Sequence, residues 1–394
     1  MERRDLNRMH KQLLYLIAAV CLLVVNCSGP ELSGDRHSQI ATAYWPIFRG
    51  DQQLSGVTDT PLPDDLSLLW SFATEYDIIS SPVIGHGNVY IGSTDGKVYC
   101  IALLDGAKIW EYNTEDDIEA SPLLLDNTIY IGNLSGMFVA LDARTGQLKW
   151  SYDIQSEIMG SANWVAGTDG EQPSILVGCY DTRMYSFDAG TGELQWTYET
   201  DYYINGAPAT DGRHVVFGGC DEMLYIVSVA DGTQKGAVWA GSYIAGSAAL
   251  VDGRAYLGHY DSKLVCIDIA EQNIVWEYED KETRGEYFSS PAIGKDRVII
   301  GSRDYYLHCV ERKTGRRIWK FQTRDEIDSS PVIAGDRVVA CSTDGRVYIL
   351  NLADGAEVWS YEVGSAILGS PAVTGGMIVV GAEDGRIYAF GENQ

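Results

Sequence analysis

The sequence predicts an all-β fold, a β-propeller in which eight four-stranded antiparallel blades form a closed ring. Three marks predict this fold, because each recurs eight times at the spacing of one blade. The first mark is a tryptophan after an alternating apolar segment, at Trp70, Trp110, Trp150, Trp196, Trp239, Trp276, Trp319 and Trp359. The second is a small residue followed by Pro or Ala, as in Ser81-Pro82. The third is a turn, usually acidic, such as Asp95-Gly96.

The chain begins with a segment that is typical of an export signal. Basic residues precede an apolar run over residues 13–25, which is too short to span a bilayer. Residues 24–27 resemble the lipobox of bacterial lipoproteins, although Asn26 stands where a small residue is usual. We therefore expect a signal peptide over residues 1–26, a lipid anchor on Cys27 and a flexible tether over residues 27–43. The sequence leaves open whether the chain starts at Met1 or Met9.

The predicted ring occupies residues 44–394, and its two ends explain how it closes. Residues 45–50 are too rich in aromatic side chains for a linker, so we expect them to pack against the ring. The last unit stops at Gln394 before any tryptophan strand, while the strand around Trp70 has no unit of its own. We expect that strand to pair with the C-terminal blade, which leaves only short, protected sheet edges.

Each unit reads as four strands. An inner strand follows the Ser-Pro mark, two strands are joined by the acidic hairpin, and an outer strand ends near the tryptophan. We expect each of the eight tryptophans to bury its ring between neighbouring blades. The third unit carries six extra residues around Trp164, which is either a contact residue on a polar loop or a side chain folded onto its own blade.

Several units resemble the Ala-x-Asp-x-x-Thr-Gly-x-x-x-Trp repeat of propellers of the pyrroloquinoline quinone (PQQ) type. Residues 140–150 fit this motif at every fixed position, and the resemblance spans residues 44–391. The family includes quinoprotein alcohol dehydrogenases, which hold their quinone with an adjacent Cys-Cys disulfide, a calcium ion and an aspartate base. No two cysteines are adjacent here and most units keep a spacing of 40 residues, without long insertions. We therefore expect a non-enzymatic protein without cofactor or metal, and keep a PQQ-dependent oxidoreductase as an alternative.

The composition is acidic, with a formal net charge of −26. Such a surface repels nucleic acid and anionic lipid headgroups and attracts basic partners. Cys100, Cys266 and Cys309 share one strand position with small residues, which indicates a place in the core. A disulfide between Cys179 and Cys220 in neighbouring blades stays open at this point, because a sequence does not fix cysteine pairing.

The loop ahead of each inner strand is the predicted binding surface, since propeller loops vary while the blades hold still. One position in this loop is acidic in several units, and the position two residues later should face the channel mouth. These acids predict a docking surface for a basic peptide, domain or cation, with solvated loop acids as the alternative. The candidate residues are Asp77, Asp117, Glu119, Glu157, Glu286, Glu326 and Asp328.

The size, the export signal and the ring together resemble the lipoprotein scaffolds that assist outer-membrane protein assembly. This resemblance implies a monomer within a larger complex, held at the periplasmic face of the outer membrane through its lipid alone. It implies protein partners, with a β-barrel assembly protein as one candidate, and no nucleic acid. An envelope sensor or ligand-binding propeller is a second alternative, alongside the quinoprotein.

Overall fold

The computed structural model describes residues 42–167 and 172–392. The predicted signal peptide, Cys27 and the tether up to residue 41 lie outside these ranges, as do residues 168–171 of the third unit. Within the described ranges, no helix is long and apolar enough to cross a membrane.

The described residues form 33 strands in eight sheets. Two strands precede the first complete blade, namely β1 Val57–Thr58 and β2 Ser67–Ala73. Blades 1 and 2 contain β3 Val83–Gly85, β4 Asn88–Gly92, β5 Lys97–Ala102, β6 Lys108–Asn113, β7 Leu123–Leu125, β8 Thr128–Gly132, β9 Met137–Asp142 and β10 Leu148–Asp153. Blades 3 and 4 contain β11 Asn163–Val165, β12 Ser174–Gly178, β13 Arg183–Asp188, β14 Leu194–Glu199, β15 Ala209–Thr210, β16 His214–Gly218, β17 Met223–Ser228 and β18 Gln234–Trp239.

The second half of the chain repeats the same pattern. Blades 5 and 6 contain β19 Ala249–Val251, β20 Arg254–His259, β21 Lys263–Asp268, β22 Asn273–Glu279, β23 Ala292–Ile293, β24 Arg297–Gly301, β25 Tyr306–Glu311 and β26 Arg317–Gln322. Blades 7 and 8 contain β27 Val332–Ala334, β28 Arg337–Cys341, β29 Arg346–Asn351, β30 Glu357–Glu362, β31 Ala372–Thr374, β32 Met377–Ala382 and β33 Arg386–Gly391. Every blade is an antiparallel meander that runs from the channel outward.

The ring closes as the sequence predicts. Strand β2 pairs antiparallel with β33, with Trp70 opposite Ala389, so the eighth blade combines both ends of the ring. The sequence did not predict β1, which pairs parallel with β27 and gives the seventh blade a fifth strand. This extra strand directly follows an N-terminal segment, residues 44–56, that packs against the ring.

The serines of the Ser-Pro marks join neighbouring blades around the channel. The backbone N–H of the marked residue in one blade donates to the marked serine hydroxyl of the next, and Ser370 returns to Ser81. Seven such bonds of 2.8–3.2 Å surround the ring. The hydrogen bond is missing between Ser161 of blade 3 and the marked residue of blade 4, because that residue is Ala207, which has no hydroxyl. The mark is therefore a connection between blades as well as the start of a strand.

Seven of the eight tryptophans lie at the boundaries between blades. Each donates its indole N–H to a backbone oxygen in a turn of the next blade, over 2.9–3.0 Å. In six of these boundaries the turn carries a glycine with positive φ, and a Cβ on it would lie 2.5–2.8 Å from the indole ring. Glycine is thus required both by the backbone conformation and by the space that the tryptophan fills.

Trp239 corrects the prediction that all eight tryptophans are buried between blades. Its side chain is 60% exposed and donates to Glu222. Strand register places Gly236, not Trp239, at the position that Trp196 and Trp276 occupy in the adjoining blades. Gln272 fills the vacant space, where a Cβ on Gly236 would lie 2.6 Å from the Gln272 side-chain carbonyl carbon. Gln272 replaces the usual turn glycine and keeps its positive φ of 53°.

The aromatic N-terminal segment packs against the ring, as predicted. Residues 44–56 exchange hydrogen bonds with the inner strands of all eight blades, at the face opposite to the loops that precede those strands. Trp45 forms an isolated antiparallel β-bridge with Ile84 of the first inner strand, and Leu54 is fully buried. Arg49 is also buried, donates to the carbonyl of Pro331 over 2.6 Å, and burial lowers its pKa to about 9. We call this segment the plug and the face it covers the plug face.

Trp164 belongs to the blade and not to a contact loop. It lies in β11 and is half-buried in the cluster that contains Ile47 of the plug. Its carbonyl accepts a hydrogen bond from Gln52 over 2.9 Å. Of the two interpretations that the sequence left open, the structure supports folding onto the blade.

The six described cysteines are free thiols. The possible Cys179–Cys220 disulfide is not formed, and each sulfur has a different hydrogen-bond partner. Cys179 donates to the carbonyl of Glu157 over 3.3 Å, and Cys220 accepts from the Asn205 amide over 3.2 Å. The three cysteines predicted to lie in the core are fully buried, each opposite a tryptophan: Cys100, Cys266 and Cys309.

Candidate functional site

The candidate site lies on the face opposite to the plug, which we call the rim face. In every blade, the backbone carbonyl of the variable rim residue accepts a hydrogen bond of 2.9–3.1 Å from a backbone N–H one or two residues after strand two of the same blade, such as Thr94 to Asp77. The next residue is buried beneath the loop, usually as Ile. The backbone is thus fixed while the rim side chain projects freely, so this position can change its chemistry without changing the fold.

The acidic rim residues form the arc that the sequence predicts. In ring order they belong to blades 6, 7, 1, 2 and 3, with Ala366 of blade 8 as the one interruption among the rim positions. Asp77, Asp117 and Glu157 are exposed, whereas Glu286 and Glu326 are half-buried. These five side chains give one side of the rim face a negative potential.

The inward positions line the mouth of the central channel. A cavity of about 170 Å³ is bordered by all eight of them: Ile79, Glu119, Met159, Asn205, Ala245, Phe288, Asp328 and Leu368. Phe48 of the plug borders the same cavity. Burial, and then the neighbouring charge of Asp117, raises the pKa of Glu119 above its usual value. The mouth therefore combines apolar side chains with one unpaired carboxyl group.

Asp328, one of the predicted contact residues, is already paired within the protein. Arg303 binds both of its carboxylate oxygens, with Nε 2.9 Å and Nη2 2.6 Å from them. The same guanidinium lies 3.4 Å above the Phe288 ring and 3.4 Å from the Glu326 carboxylate. Sequence reasoning missed Arg303, because nothing in its own repeat shows that it crosses to the next blade. The charge of Asp328 is already neutralised within the protein.

The other side of the rim face is aromatic, a surface that the repeat pattern of the sequence did not predict. Blades 4 and 5 have tyrosine at the rim position where other blades have acids, and Trp239 ends the outer strand of blade 4. The residues of this aromatic sector are Tyr180, Tyr202, Tyr203, Trp239, Tyr243 and Tyr260.

The rings of the aromatic sector contact one another across blades. Tyr180 stacks on Tyr203 with centroids 4.9 Å apart and planes 10° from parallel, and Tyr202 lies 4.6 Å from Tyr203. Tyr260 lies 6.1 Å from Tyr243 and 5.0 Å from Phe288 at the channel mouth. Five of the six side chains are 40–60% exposed, all except Tyr180. Large aromatic area that stays exposed and preordered is typical of a contact surface.

The residues at the channel mouth do not fit a quinone with its metal. The six cysteines of the described residues are separate free thiols, so none forms the adjacent disulfide that such sites use. Asp328, one of two carboxylates at the mouth, is bound by Arg303. Within residues 42–167 and 172–392, no three His, Cys, Asp or Glu side chains are grouped to hold a metal ion. The described residues at the mouth therefore lack both the adjacent disulfide and the grouped donors that the resemblance implies for a quinone site.

A family model described as outer membrane protein assembly factor BamB matches residues 63–236, 159–305 and 303–393. Together these overlapping matches cover nearly the whole ring. No curated protein matches the chain.

Solved structures share the fold. BamB from Moraxella catarrhalis is 21% identical, with a TM-score of 0.69 over 83% of this chain and 100% of that one. A europium-containing methanol dehydrogenase is 14% identical, with a TM-score of 0.75 over 89% and 98% of the two chains. A quinohemoprotein alcohol dehydrogenase from Comamonas testosteroni is 13% identical, with a TM-score of 0.74 over 92% and 83%. At these identities the likeness is one of fold.

Proposed function

The chain belongs to the family of the outer membrane protein assembly factor BamB, and from that premise we propose that it is a non-enzymatic scaffold of the bacterial cell envelope. In this proposal it docks protein partners during outer-membrane protein assembly. A β-barrel assembly protein is the first candidate partner. The propeller supplies a rigid ring, and the rim face supplies the contact.

One observation carries this proposal, namely the aromatic sector of the rim face. Tyrosine and tryptophan dominate the residues whose truncation costs most in protein interfaces, because they bury a large area at little entropic cost. Trp239 is 60% exposed at a position where the other outer strands end in a polar, charged or small residue. The fold does not need this tryptophan on its surface, since Gln272 already fills the boundary that the indole vacates. A partner that covers Trp239 and Tyr243 accounts for the arrangement.

The acidic arc complements the aromatic sector. An apolar contact surface flanked by charge gives a partner both affinity and orientation, since long-range potentials accelerate correct encounters. We propose that the partner places apolar side chains on the aromatic sector and basic side chains opposite Asp117 and Glu157. Glu119 at the channel mouth, unlike Asp328, keeps a carboxyl group without an ion-pair partner among the described residues.

The proposal includes attachment to the membrane. Cys27 would carry the lipid after removal of residues 1–26, and the residues up to the plug would let the ring reach its partner. The periplasmic face of the outer membrane is the proposed location. The chain would act as a monomer within its complex.

Site-specific photo-crosslinking in the native envelope tests the docking proposal. A crosslinking residue at Trp239 or Tyr243 should capture a β-barrel assembly protein, identified by mass spectrometry. The same residue at Arg144, an exposed position on the plug face, is the matched control and should not capture it. Capture of a redox protein from the rim face would favour the quinoprotein alternative. Capture of no protein from any rim position would contradict the scaffold.

A further inference from the structure

The positive charge of this acidic protein is concentrated in one blade. Residues 281–324, which contain blade 6, hold eleven of the chain's 29 Lys and Arg residues but only five of its 55 Asp and Glu residues. A segment of the ring thus has a local excess of positive charge in a chain whose net charge is −26. Such a reversal needs an explanation beyond the solubility that net charge provides.

Part of this charge is used inside the protein. Arg317 and Lys320 bind the Asp280 carboxylate over 2.9 and 3.0 Å, and Arg303 binds Asp328. Other cations have no such partner. Within residues 42–167 and 172–392, no carboxylate forms an ion pair with any member of a group that we call the basic cluster: Arg254, Lys295, Lys313 and Arg316. All but the half-buried Arg254 are exposed.

The basic cluster lies on the plug face, remote from the aromatic sector. Lys295 belongs to the turn between β23 and β24, while Lys313 and Arg316 belong to the turn between β25 and β26. The two turns are adjacent, because the N–H of Arg312 donates to the carbonyl of Asp296 over 2.9 Å. Arg254, Lys295 and Lys313 line one groove of about 550 Å³.

The acids of that groove are already engaged. Asp252 binds Arg312 over 2.8 Å, and Asp296 lies 3.6 Å from Arg297. Glu311 accepts from the hydroxyl of Thr314. Two of the three carboxylates in the groove thus pair with an arginine outside the basic cluster, and no described carboxylate forms an ion pair with the cluster itself. Like charges held close together without counterions of their own favour an anion supplied from outside.

The positions of the cluster are not set by the fold. At the place of Lys313, the other blades carry Leu104, Arg144, Gly190, Ala230, Ala270, Ala353 and Asp64. At the place of Arg316, none of the other blades carries a cation. The turn closes equally well with neutral side chains, so the cations of blade 6 serve something other than its geometry.

We infer that the basic cluster is a second docking surface, which binds a short acidic segment of a protein partner. Charge complementarity favours carboxylates, and the groove is sized for a few side chains. A flat anionic membrane would face the repulsion of the whole acidic ring. A short segment feels mainly the local field, since charges farther than about 8 Å are screened at physiological salt. This surface is independent of the aromatic sector, so the ring can hold two partners on opposite faces.

The test uses an oligoglutamate peptide as the probe and the full chain as the receptor. Binding is measured by fluorescence anisotropy at low and physiological ionic strength, with an oligoglutamine peptide for comparison. The inference predicts that the acidic peptide binds, that salt weakens it, and that Lys295→Glu with Lys313→Glu lowers the affinity at least about tenfold. A carbodiimide crosslink, which joins amines to carboxylates without a spacer, should map to Lys295 or Lys313.

Arg144→Glu is the matched control, because Arg144 is an exposed cation at the same turn position in blade 2 and has no ion-pair partner among the described residues. It should change the affinity less than about twofold. An equal loss in the control, crosslinks elsewhere, or no binding at low salt would overturn the inference. Tighter binding to anionic than to neutral phospholipid vesicles, lost in the Lys313→Glu variant, would also overturn it by making a membrane the partner. None of these outcomes bears on the aromatic sector. The two proposed docking surfaces can therefore be tested, and refuted, independently.

Discussion

A single arginine changes the chemistry of the channel mouth. Arg303 neutralises Asp328, covers Phe288 and leaves Glu119 as the unpaired acid among the inward positions. Any cation or basic side chain that enters the mouth therefore meets one carboxyl group and not two. The proposed contact surface is therefore mainly aromatic, with acidic side chains at its margin.

Removal of Arg303 alone should destabilise the protein by about 1–3 kcal/mol, because it leaves the mostly buried carboxylate of Asp328 without its partner. Arg303→Gln combined with Asp328→Asn should cost less than the two single changes added together. Urea unfolding of the four proteins measures this coupling. Additive single effects would show that the bidentate contact contributes nothing to stability.

The buried carboxylate of Asp280, with the two cations bound to it, should make the stability of the protein depend on pH. Asp280 is 4% exposed and accepts from Arg317 and Lys320. Burial alone would raise its pKa, but the backbone N–H of Glu282 and these two cations lower it from 3.8 to about 2. The folded state therefore binds this proton less readily than the unfolded state. The stabilisation is complete above the ordinary pKa and is lost as the pH falls towards 2.

The Asp280→Asn variant should consequently be less stable than the wild type at neutral pH, by about 1–3 kcal/mol. Its stability should fall less steeply than that of the wild type on acidification below about pH 4. Chemical denaturation at a series of pH values measures both. Parallel pH profiles in the two proteins would show that Asp280 is not the group responsible.

At the scale of the blade, the boundary between blades 4 and 5 reverses the usual arrangement. At six of the other boundaries a tryptophan packs on a turn glycine of the next blade, whereas here Gly236 faces Gln272. The two departures compensate each other, because the space that the missing indole leaves is the space that the glutamine fills. Trp239 is left on the rim face as a consequence.

Two substitutions should convert this boundary to the arrangement in which a tryptophan packs on a glycine. Gly236→Trp alone should destabilise the protein by about 1–3 kcal/mol, since the new side chain meets Gln272. Gly236→Trp with Gln272→Gly restores the arrangement of the other boundaries and should recover the stability or exceed it. Thermal unfolding of the single and double variants measures the outcome. A double variant no more stable than Gly236→Trp would contradict the pairing.

The sequence predicted the blades because their marks are local. The Ser-Pro start, the acidic hairpin and the closing tryptophan each depend on the conformation of a few consecutive residues. Their number and order along the chain therefore predicted the eight units and the closure at Trp70. Trp239 was misassigned although the spacing contained a warning. It stands 43 residues after Trp196 and 37 before Trp276, while Gly236 stands 40 from each. The strand register shows that Gly236, and not Trp239, occupies the position of the tryptophans in the adjoining blades.

The candidate site was predicted less well because its contacts cross between blades. The rim acids could be named from the repeat, but the pairing of Asp328 with Arg303 joins residues 25 apart in different units. The aromatic sector joins residues from three units, each an unremarkable tyrosine in its own loop. Such a surface exists only after the ring has closed.

At the scale of the whole molecule, the ring separates two chemistries. The rim face has an aromatic sector beside an acidic arc, and the plug face has the basic cluster on blades 5 and 6, whose cations form no ion pair with a described carboxylate. The plug holds all eight blades together from one side, and β2 closes the ring. A rigid body with different surfaces on opposite faces suits a protein that holds partners in fixed relation.

The most direct test of this account is complementation in cells that lack the protein. The measurement is the level of β-barrel proteins in the outer membrane, with the abundance of each variant verified. The account predicts that the wild type and Tyr76→Ala, which removes an exposed tyrosine outside the aromatic sector, restore that level. The Trp239→Ala, Tyr243→Ala variant should fail to restore it despite equal abundance. Full restoration by that double variant, or no effect of the wild-type protein, would contradict the account.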